Sequence, residues 1–197
     1  GIRSEKDVET LLKAGADRVA INSAFTKDPD LAPILSREFG RSTICGMIEG
    51  VKISDDNIKC FTCSGREETD LDLYKWAHAL EEQGVGEIIY TDVISEGTGK
   101  GLDIETIRRL SGSLSVPLVV NGGVGKIVDI QEAVQIKKLS GVSVASCIHY
   151  SYLAQIKGGD DILGNTQMRT SAKAPTFIQT MTIPEFNTVS LVEPGEQ

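Results

Sequence analysis

The stretch VPLVVNGGVGK, residues 116–126, passes from a short apolar segment into a double glycine. A short, continuously apolar run rich in β-branched residues is typical of a buried parallel strand. Four further segments are similar: residues 18–22 (RVAIN), 43–48 (TICGMI), 87–90 (EIIY) and 142–145 (VSVA). Because amphipathic helical patterns separate these segments, we expect repeated strand–helix units and therefore an α/β fold with a parallel sheet covered by helices.

The predicted helices have apolar side chains on one face and cover residues 6–14, 30–39, 71–83, 104–110 and 129–138. One segment interrupts the alternation. Residues 57–64 (NIKCFTCS) follow residues 51–54 through an Asp55–Asp56 turn, which predicts a hairpin extension after the second strand. After Tyr150 the pattern ends, so we expect a loop over residues 158–180 and a short helix that begins at residues 182–185.

The composition excludes several classes of protein. Hydrophobic residues make up 40% and charged residues 24% of the chain, and the formal net charge is −8, as in an ordinary globular protein. Nucleic-acid binding needs a basic surface, and the sequence has no basic run. No apolar run approaches the roughly 18 residues of a transmembrane helix, and no signal-peptide pattern is present. Four irregularly spaced cysteines do not suggest a disulfide framework, which favours the cytoplasm.

The chain nearly repeats itself after about 122 residues. Gly1 and Asp7 correspond to Gly123 and Asp129, and the segment VAINS (19–23) is similar to VSVAS (142–146). Each copy has a glycine-bearing turn that opens a helix, and a strand that ends in serine. Glycine lets the backbone approach a ligand, and a helix start presents free N–H groups. One such turn is an ordinary helix cap, but two matching copies predict two phosphate sites.

Five motifs carry a resemblance to a known family. INSAF, FTCSGR, GVGEIIYTDVISEGTGKG, VPLVVNGGVGK and VASCIHY resemble, in order and spacing, the cyclase subunit of imidazole glycerol phosphate synthase, from histidine biosynthesis. The resemblance runs from Gly1 to about Tyr150 and implies a (β/α)₈ TIM barrel of the half-barrel-repeat type. Because Gly1 matches the end of the third barrel strand, we expect about five of the eight strands here. We expect the partial barrel over residues 1–157, with the loop and terminal helix over 158–197.

The resemblance also implies an activity and a partner. Ammonia from a glutaminase subunit would travel through the barrel and react with a ribulosyl-bisphosphate aminoimidazole carboxamide intermediate. The products would be imidazole glycerol phosphate and an aminoimidazole carboxamide ribotide. This chain alone is expected to be inactive, because the family's first catalytic aspartate lies on a strand that is absent from it.

By position, the resemblance assigns site residues at both ends of the barrel. The first phosphate site would comprise Gly1, Asn22, Ser23 and Ser64. The second phosphate site would comprise Gly122, Gly123, Ala145 and Ser146. Thr91 would face the substrate between the two sites. At the opposite mouth, Arg18 and Glu87 match charged ammonia-gate positions, and Asp17 would lie at the glutaminase interface.

Glu49 is the candidate catalytic residue. It stands where the family has the second of two aspartates that act as acid and base, and a carboxylate there suits proton transfer. Glutamate reaches one methylene further, and a misplacement of about 1 Å can cost on the order of 10²-fold in rate. Ile94 and Glu96 also depart from the family's acidic pattern after Thr91.

These departures leave alternatives open. A non-catalytic paralogue would act as an ammonia conduit for an amidotransferase in surface-polysaccharide sugar synthesis. A related pathway isomerase would need no glutaminase partner. We expect no cofactor, and no metal at Cys60 and Cys63, because residues three apart on a strand point to opposite faces.

Overall fold

The computed structural model describes residues 1–155 and 178–190. The strands in these ranges are β1 (Val19–Ile21), β2 (Ile44–Ser54), β3 (Asn57–Thr62), β4 (Glu67–Asp72), β5 (Glu87–Asp92), β6 (Leu118–Asn121) and β7 (Leu139–Ser143). The helices are α1 (Glu5–Lys13), α2 (Ser23–Lys27), α3 (Leu31–Phe39), α4 (Leu73–Glu82), α5 (Ile104–Ser113), α6 (Ile127–Ala133), α7 (Ser146–Gln155) and α8 (Ile183–Ser190), with a 3₁₀ turn at Arg41–Thr43.

Five of the strands form one parallel sheet in the order β1-β2-β5-β6-β7. Each of the last four follows a helical segment, so the predicted alternation of strand and helix is confirmed. The sheet is open, with β1 and β7 at its two ends. An open α/β sheet with this connectivity is consistent with a partial (β/α)₈ barrel.

The predicted hairpin is present and is larger than expected. Strand β2 is 11 residues long. Its first part pairs with β1, and its second part turns at Asp55–Asp56 and pairs antiparallel with β3. Strand β4 then pairs antiparallel with β3, which the sequence analysis did not predict. The β4 sequence, EETDLD, gave no strand signal because its charges belong to an edge strand, where acidic side chains discourage pairing with other chains.

The core lies between the sheet and its helices. Side chains below 2% exposure include Leu35, Ile48, Leu80, Ile88 and Leu110, from three helices and two strands. Burial of each such side chain contributes about 1.5–3 kcal/mol. A second apolar cluster joins α6, α7 and α8, with Ile130, Cys147, Tyr150 and Met181 among its buried members.

Several predicted bounds are wrong. Helix α6 ends at Ala133 rather than at Lys138, and Lys138, with a φ of 72°, lies in the turn that leads into the next strand. Strand β7 therefore begins at Leu139 and ends at Ser143, earlier than the predicted 142–145. Helices α2 and α7 were not predicted: α2 has only five residues, and apolar residues are spread around α7 rather than along one face.

The C-terminal predictions are tested only in part. Helix α8 confirms the predicted terminal helix, with Pro184 in its first turn. Residues 158–177 of the predicted loop lie outside the described residues, and the division of the chain at residue 157 stays a prediction. Within the described ranges, no helix is both long enough and apolar enough to cross a membrane.

Candidate functional site

A row of polar side chains crosses the carboxyl ends of the central strands. Glu49 of β2 lies opposite Thr91 of β5, and Thr91 lies opposite Asn121 of β6. The amide Nδ2 of Asn121 donates to Thr91 Oγ1 at 3.4 Å, and Thr91 is only 2% exposed. This is the edge at which open parallel sheets bind ligands.

The first predicted phosphate site forms the wall of a cavity of about 590 Å³ beside this row. All four predicted residues line it, namely Gly1, Asn22, Ser23 and Ser64. Glu49 lines the same cavity, so the candidate catalytic carboxylate lies in the same cavity as the first predicted phosphate site. Arg3 and Lys27 also line it and bring positive charge that suits an anion. Sequence analysis did not select these two cations, although each lies within five residues of a selected one.

The second predicted phosphate site forms a smaller cavity of about 170 Å³. Its lining contains all four predicted residues, Gly122, Gly123, Ala145 and Ser146. Asn121 lines it too, which places this cavity at the other end of the polar row. Glu96 is also part of the lining, and its carboxylate opposes an anion there.

The double glycine is required by close backbone contacts. Gly122 and Gly123 have φ values of 97° and 106°. A Cβ on Gly123 would lie 2.1 Å from the carbonyl oxygen of Gly101, whose own N–H donates to the Gly123 carbonyl at 2.7 Å. Only glycine fits this conformation and this spacing, so the loop after β6 is fixed against the loop after β5.

The two serines occupy matching places. Ser23 is the first residue of α2, directly after β1 and Asn22, and Ser146 is the first residue of α7, after β7. Helix starts of this kind present unpaired N–H groups. Both predicted sites therefore combine a glycine in the cavity wall with a helix that begins at a serine.

Glu49 is held by hydrogen bonds from two directions. Its Oε2 accepts from Nδ2 of Asn22 at 3.0 Å and from the backbone N–H of Gly65 at 3.0 Å. The same Nδ2 also donates to the carbonyl of Phe61 at 3.2 Å. Within the described residues, Oε1 takes no hydrogen bond from the protein. The carboxylate is thus oriented, and one oxygen is left for a ligand or a proton.

The predicted gate residues meet at the amino ends of the strands. Arg18 Nη1 lies 3.0 Å from Glu87 Oε1, which forms an ion pair. The thiol of Cys45 donates to Glu87 Oε2 at 3.4 Å, a contact that the sequence analysis missed because Cys45 sits inside an apolar run. Burial raises the pKa of Cys45 to about 12, and the bond to Glu87 adds to this. Asp17 is exposed beside this group.

The comparisons with known proteins agree over most of the chain. Residues 1–154 match the family described as "Histidine biosynthesis protein". The chain is 39% identical over 159 residues to the imidazole glycerol phosphate synthase subunit HisF of Pyrobaculum aerophilum. This match covers 80% of this chain and 62% of that protein. The same subunit of Legionella pneumophila is 42% identical over 127 residues, or 64% of this chain and 60% of that protein. The chain therefore spans about three fifths of the length of these curated relatives.

Proposed function

The chain belongs to the histidine biosynthesis protein family, and we propose from that premise that it is part of an imidazole glycerol phosphate synthase cyclase subunit. In this proposal, ammonia from a glutaminase partner reacts with a ribulosyl-bisphosphate aminoimidazole carboxamide intermediate in the cytoplasm. The reaction gives imidazole glycerol phosphate and an aminoimidazole carboxamide ribotide, in the pathway to histidine.

One observation carries the proposal: two separate cavities lie at the same edge of the sheet, one at each end of the row from Glu49 to Asn121. Each has a glycine in its wall and the start of a helix beside it, an arrangement that favours phosphate. A ligand with a phosphate at both ends would span the row and pass over Thr91. This fits a bisphosphorylated substrate better than one with a single anionic group.

The chemistry proposed for the row is proton transfer. Ring closure needs one proton removed from a nitrogen and another delivered to a leaving group, which is work for carboxylates. Glu49 would supply one of them through Oε1, since Oε2 is occupied by Asn22 and Gly65. Thr91 would position the substrate, and its own hydroxyl is oriented by the Asn121 amide.

We further propose that ammonia enters at the opposite end of the strands. The Arg18–Glu87 ion pair lies there, and Asp17 is exposed next to it. A glutaminase docked on this surface would release ammonia next to a charged pair that can open and close. The polar row at the far end of the same strands would then receive it.

Calorimetry with a bisphosphorylated aminoimidazole substrate analogue tests the proposal. We expect micromolar binding by the full chain, lost in Ser146→Asp for the second cavity and in Ser23→Asp for the first. Each aspartate places a negative charge where a phosphate would lie. Glu132→Ala, on an exposed side of α6, serves as the matched control and should bind normally. No binding by a protein with a folded circular dichroism spectrum would overturn the substrate assignment.

A second candidate is the non-catalytic ammonia conduit. It is favoured by the bonding of Glu49, whose carboxylate is used by the protein itself to hold Asn22 and Gly65. A conduit would keep the Arg18–Glu87 pair and the partner surface, but would have no need of two phosphate sites. Failure of the analogue to bind, with glutaminase binding retained, would favour this candidate.

A further inference from the structure

The loop between β3 and β4 contains three consecutive residues in the left-handed conformation. Cys63, Ser64 and Gly65 have φ values of 55°, 61° and 71°, and the N–H of Arg66 donates to the carbonyl of Thr62 at 3.0 Å to close the turn. Left-handed backbone is uncommon for residues with a Cβ and persists only where the surroundings hold it. The turn therefore needs anchors outside itself.

Both anchors, Ser23 and Glu49, line the first cavity. The N–H of Cys63 donates to Ser23 Oγ at 3.1 Å, and the N–H of Gly65 donates to Glu49 Oε2 at 3.0 Å. Cys63 and Ser64 line the same cavity as Ser23 and Glu49. The turn thus forms one wall of the cavity and is bonded to two of its functional side chains.

We propose that the left-handed turn 63–65 is the positioning element of this site, with the Gly65 N–H aiming Glu49 and the Cys63 N–H aiming Ser23. The inference rests on the proposed function, because it takes from it the roles of Ser23 and Glu49. A hydroxyl has one hydrogen to donate. Since the Cys63 N–H occupies an acceptor position on Ser23 Oγ, the hydroxyl hydrogen stays available for an anion in the cavity.

The turn also connects the first cavity to the loop that follows Thr91. A Cβ at Gly65 would lie 2.5 Å from Cγ1 of Val93, two residues beyond Thr91. Val93 is itself fixed by its N–H, which donates to the carbonyl of Gly50 at 3.0 Å. Glycine at position 65 therefore serves two requirements, the positive φ and the close packing on Val93.

The length of the Glu49 side chain gives a sharp test. Glu49→Asp keeps the charge but shortens the side chain by one methylene, so the carboxylate is withdrawn from Gly65. Glu49→Gln keeps the length and an acceptor oxygen but removes the charge. Position and charge are therefore changed separately by two variants at one residue.

Backbone amide exchange in the full chain is the first measurement. In Glu49→Asp we expect the Gly65 N–H to exchange about tenfold faster or more, the effect of losing one hydrogen bond to a charged group. Alkylation of Cys63, the only cysteine that is not buried, should accelerate with it. Glu49→Gln should stay much closer to the parent protein in both measurements. Equal exchange at Gly65 in the parent protein and in Glu49→Asp would overturn the inference.

Binding of inorganic phosphate gives a measurement that a purely structural role would not change. An anion that accepts from Ser23 Oγ makes that oxygen a better acceptor for Cys63, because linked hydrogen bonds strengthen one another. Phosphate should therefore slow exchange of the Cys63 N–H in the parent protein and in Ser23→Thr, but not in Ser23→Ala. Phosphate affinity should fall several-fold in Glu49→Asp, although the charge is unchanged. The proposed role would be contradicted if Glu49→Asp bound phosphate as tightly as the parent protein and phosphate still slowed exchange of the Cys63 N–H in Ser23→Ala.

The outcomes separate this inference from the proposed function. If the bisphosphorylated analogue fails to bind but phosphate protects Cys63 through Ser23, the substrate assignment fails and the positioning role stands. If the analogue binds and Glu49→Asp leaves both Gly65 exchange and phosphate affinity unchanged, the substrate assignment stands and the positioning role fails.

Discussion

Asp7 and Asp129, 122 positions apart, make the same hydrogen bond at the starts of two different helices. Oδ2 of Asp7 accepts from the N–H of Arg3 at 2.8 Å, and Oδ2 of Asp129 accepts from the N–H of Gly125 at 2.8 Å. Each aspartate is the third residue of its helix, and each donor lies two residues before that helix. The internal repeat in the sequence is therefore also a repeat in hydrogen bonding, located beside each candidate phosphate cavity.

Removing this bond should loosen the second cavity. In Asp129→Ala the N–H groups of Gly125 and Lys126 both lose their acceptor. Loss of such a helix cap costs about 1 kcal/mol. We expect a fall of that size in the free energy of unfolding, measured with urea, and weaker binding of the bisphosphorylated analogue. Glu132→Ala, on the same helix, is the control, and an equal effect in both variants would contradict the special role of Asp129.

The double glycine should tolerate no side chain. Gly123→Ala combines a φ of 106° with a Cβ 2.1 Å from the Gly101 carbonyl oxygen, so we expect a loss of stability of about 1–3 kcal/mol or more. The matched control is Gly112→Ala in α5, where a Cβ would meet nothing within 4 Å. There we expect a gain of roughly 0.5–1 kcal/mol, because alanine favours helix over glycine. Thermal unfolding of both variants checks the opposite signs.

Local patterns that repeat along the chain predicted the parallel sheet and one glycine and one serine of each cavity, and the family resemblance supplied the other predicted cavity residues. The sequence could not predict contacts between residues that are far apart in the chain and meet only in the folded structure. The bond from Gly65 to Glu49 joins residues 16 positions apart through a left-handed turn that propensities disfavour at Cys63 and Ser64. The contact of Cys45 with Glu87 joins two strands across the sheet, and nothing in the run TICGMI distinguishes this thiol from a core residue.

Asp103 should make the protein more sensitive to acid. It caps α5 through bonds from the N–H and hydroxyl of Thr106, and it pairs with Lys52 at 3.1 Å. Burial raises its pKa, but these bonds and the charge of Lys52 outweigh burial, so the pKa lies below the ordinary value. Because the pKa is lower in the folded state, the stabilisation is present above about pH 3.9, the ordinary value, and is lost as pH falls through the folded-state pKa.

Urea unfolding of Asp103→Asn at several pH values checks this. Near pH 7 we expect the variant to be less stable than the parent protein by about 1 kcal/mol, since asparagine still caps a helix but loses the pairing with Lys52. The difference should shrink as pH is lowered below about 4, where the parent aspartate becomes protonated. A difference that stays constant down to pH 2.5 would show that the charge of Asp103 contributes nothing.

The thiol of Cys45, which lies beside the Arg18–Glu87 ion pair, should be chemically inert in the folded protein. Because burial raises the pKa of Cys45 to about 12, only on the order of 10⁻⁴ of it is thiolate at pH 8, and the thiolate is the reactive form. Cys60 and Cys147 are buried as well; burial raises the pKa of Cys60 to about 12 and also raises that of Cys147. We therefore expect iodoacetamide to modify Cys63 alone at pH 8, with all four cysteines modified in urea.

Glu87→Gln removes the negative charge beside Cys45 but leaves the thiol buried, so labelling of Cys45 should rise without reaching the rate of Cys63. Rapid labelling of Cys45 in the folded parent protein would mean that the amino end of the sheet opens to solvent, and that the Arg18–Glu87 pair does not close it.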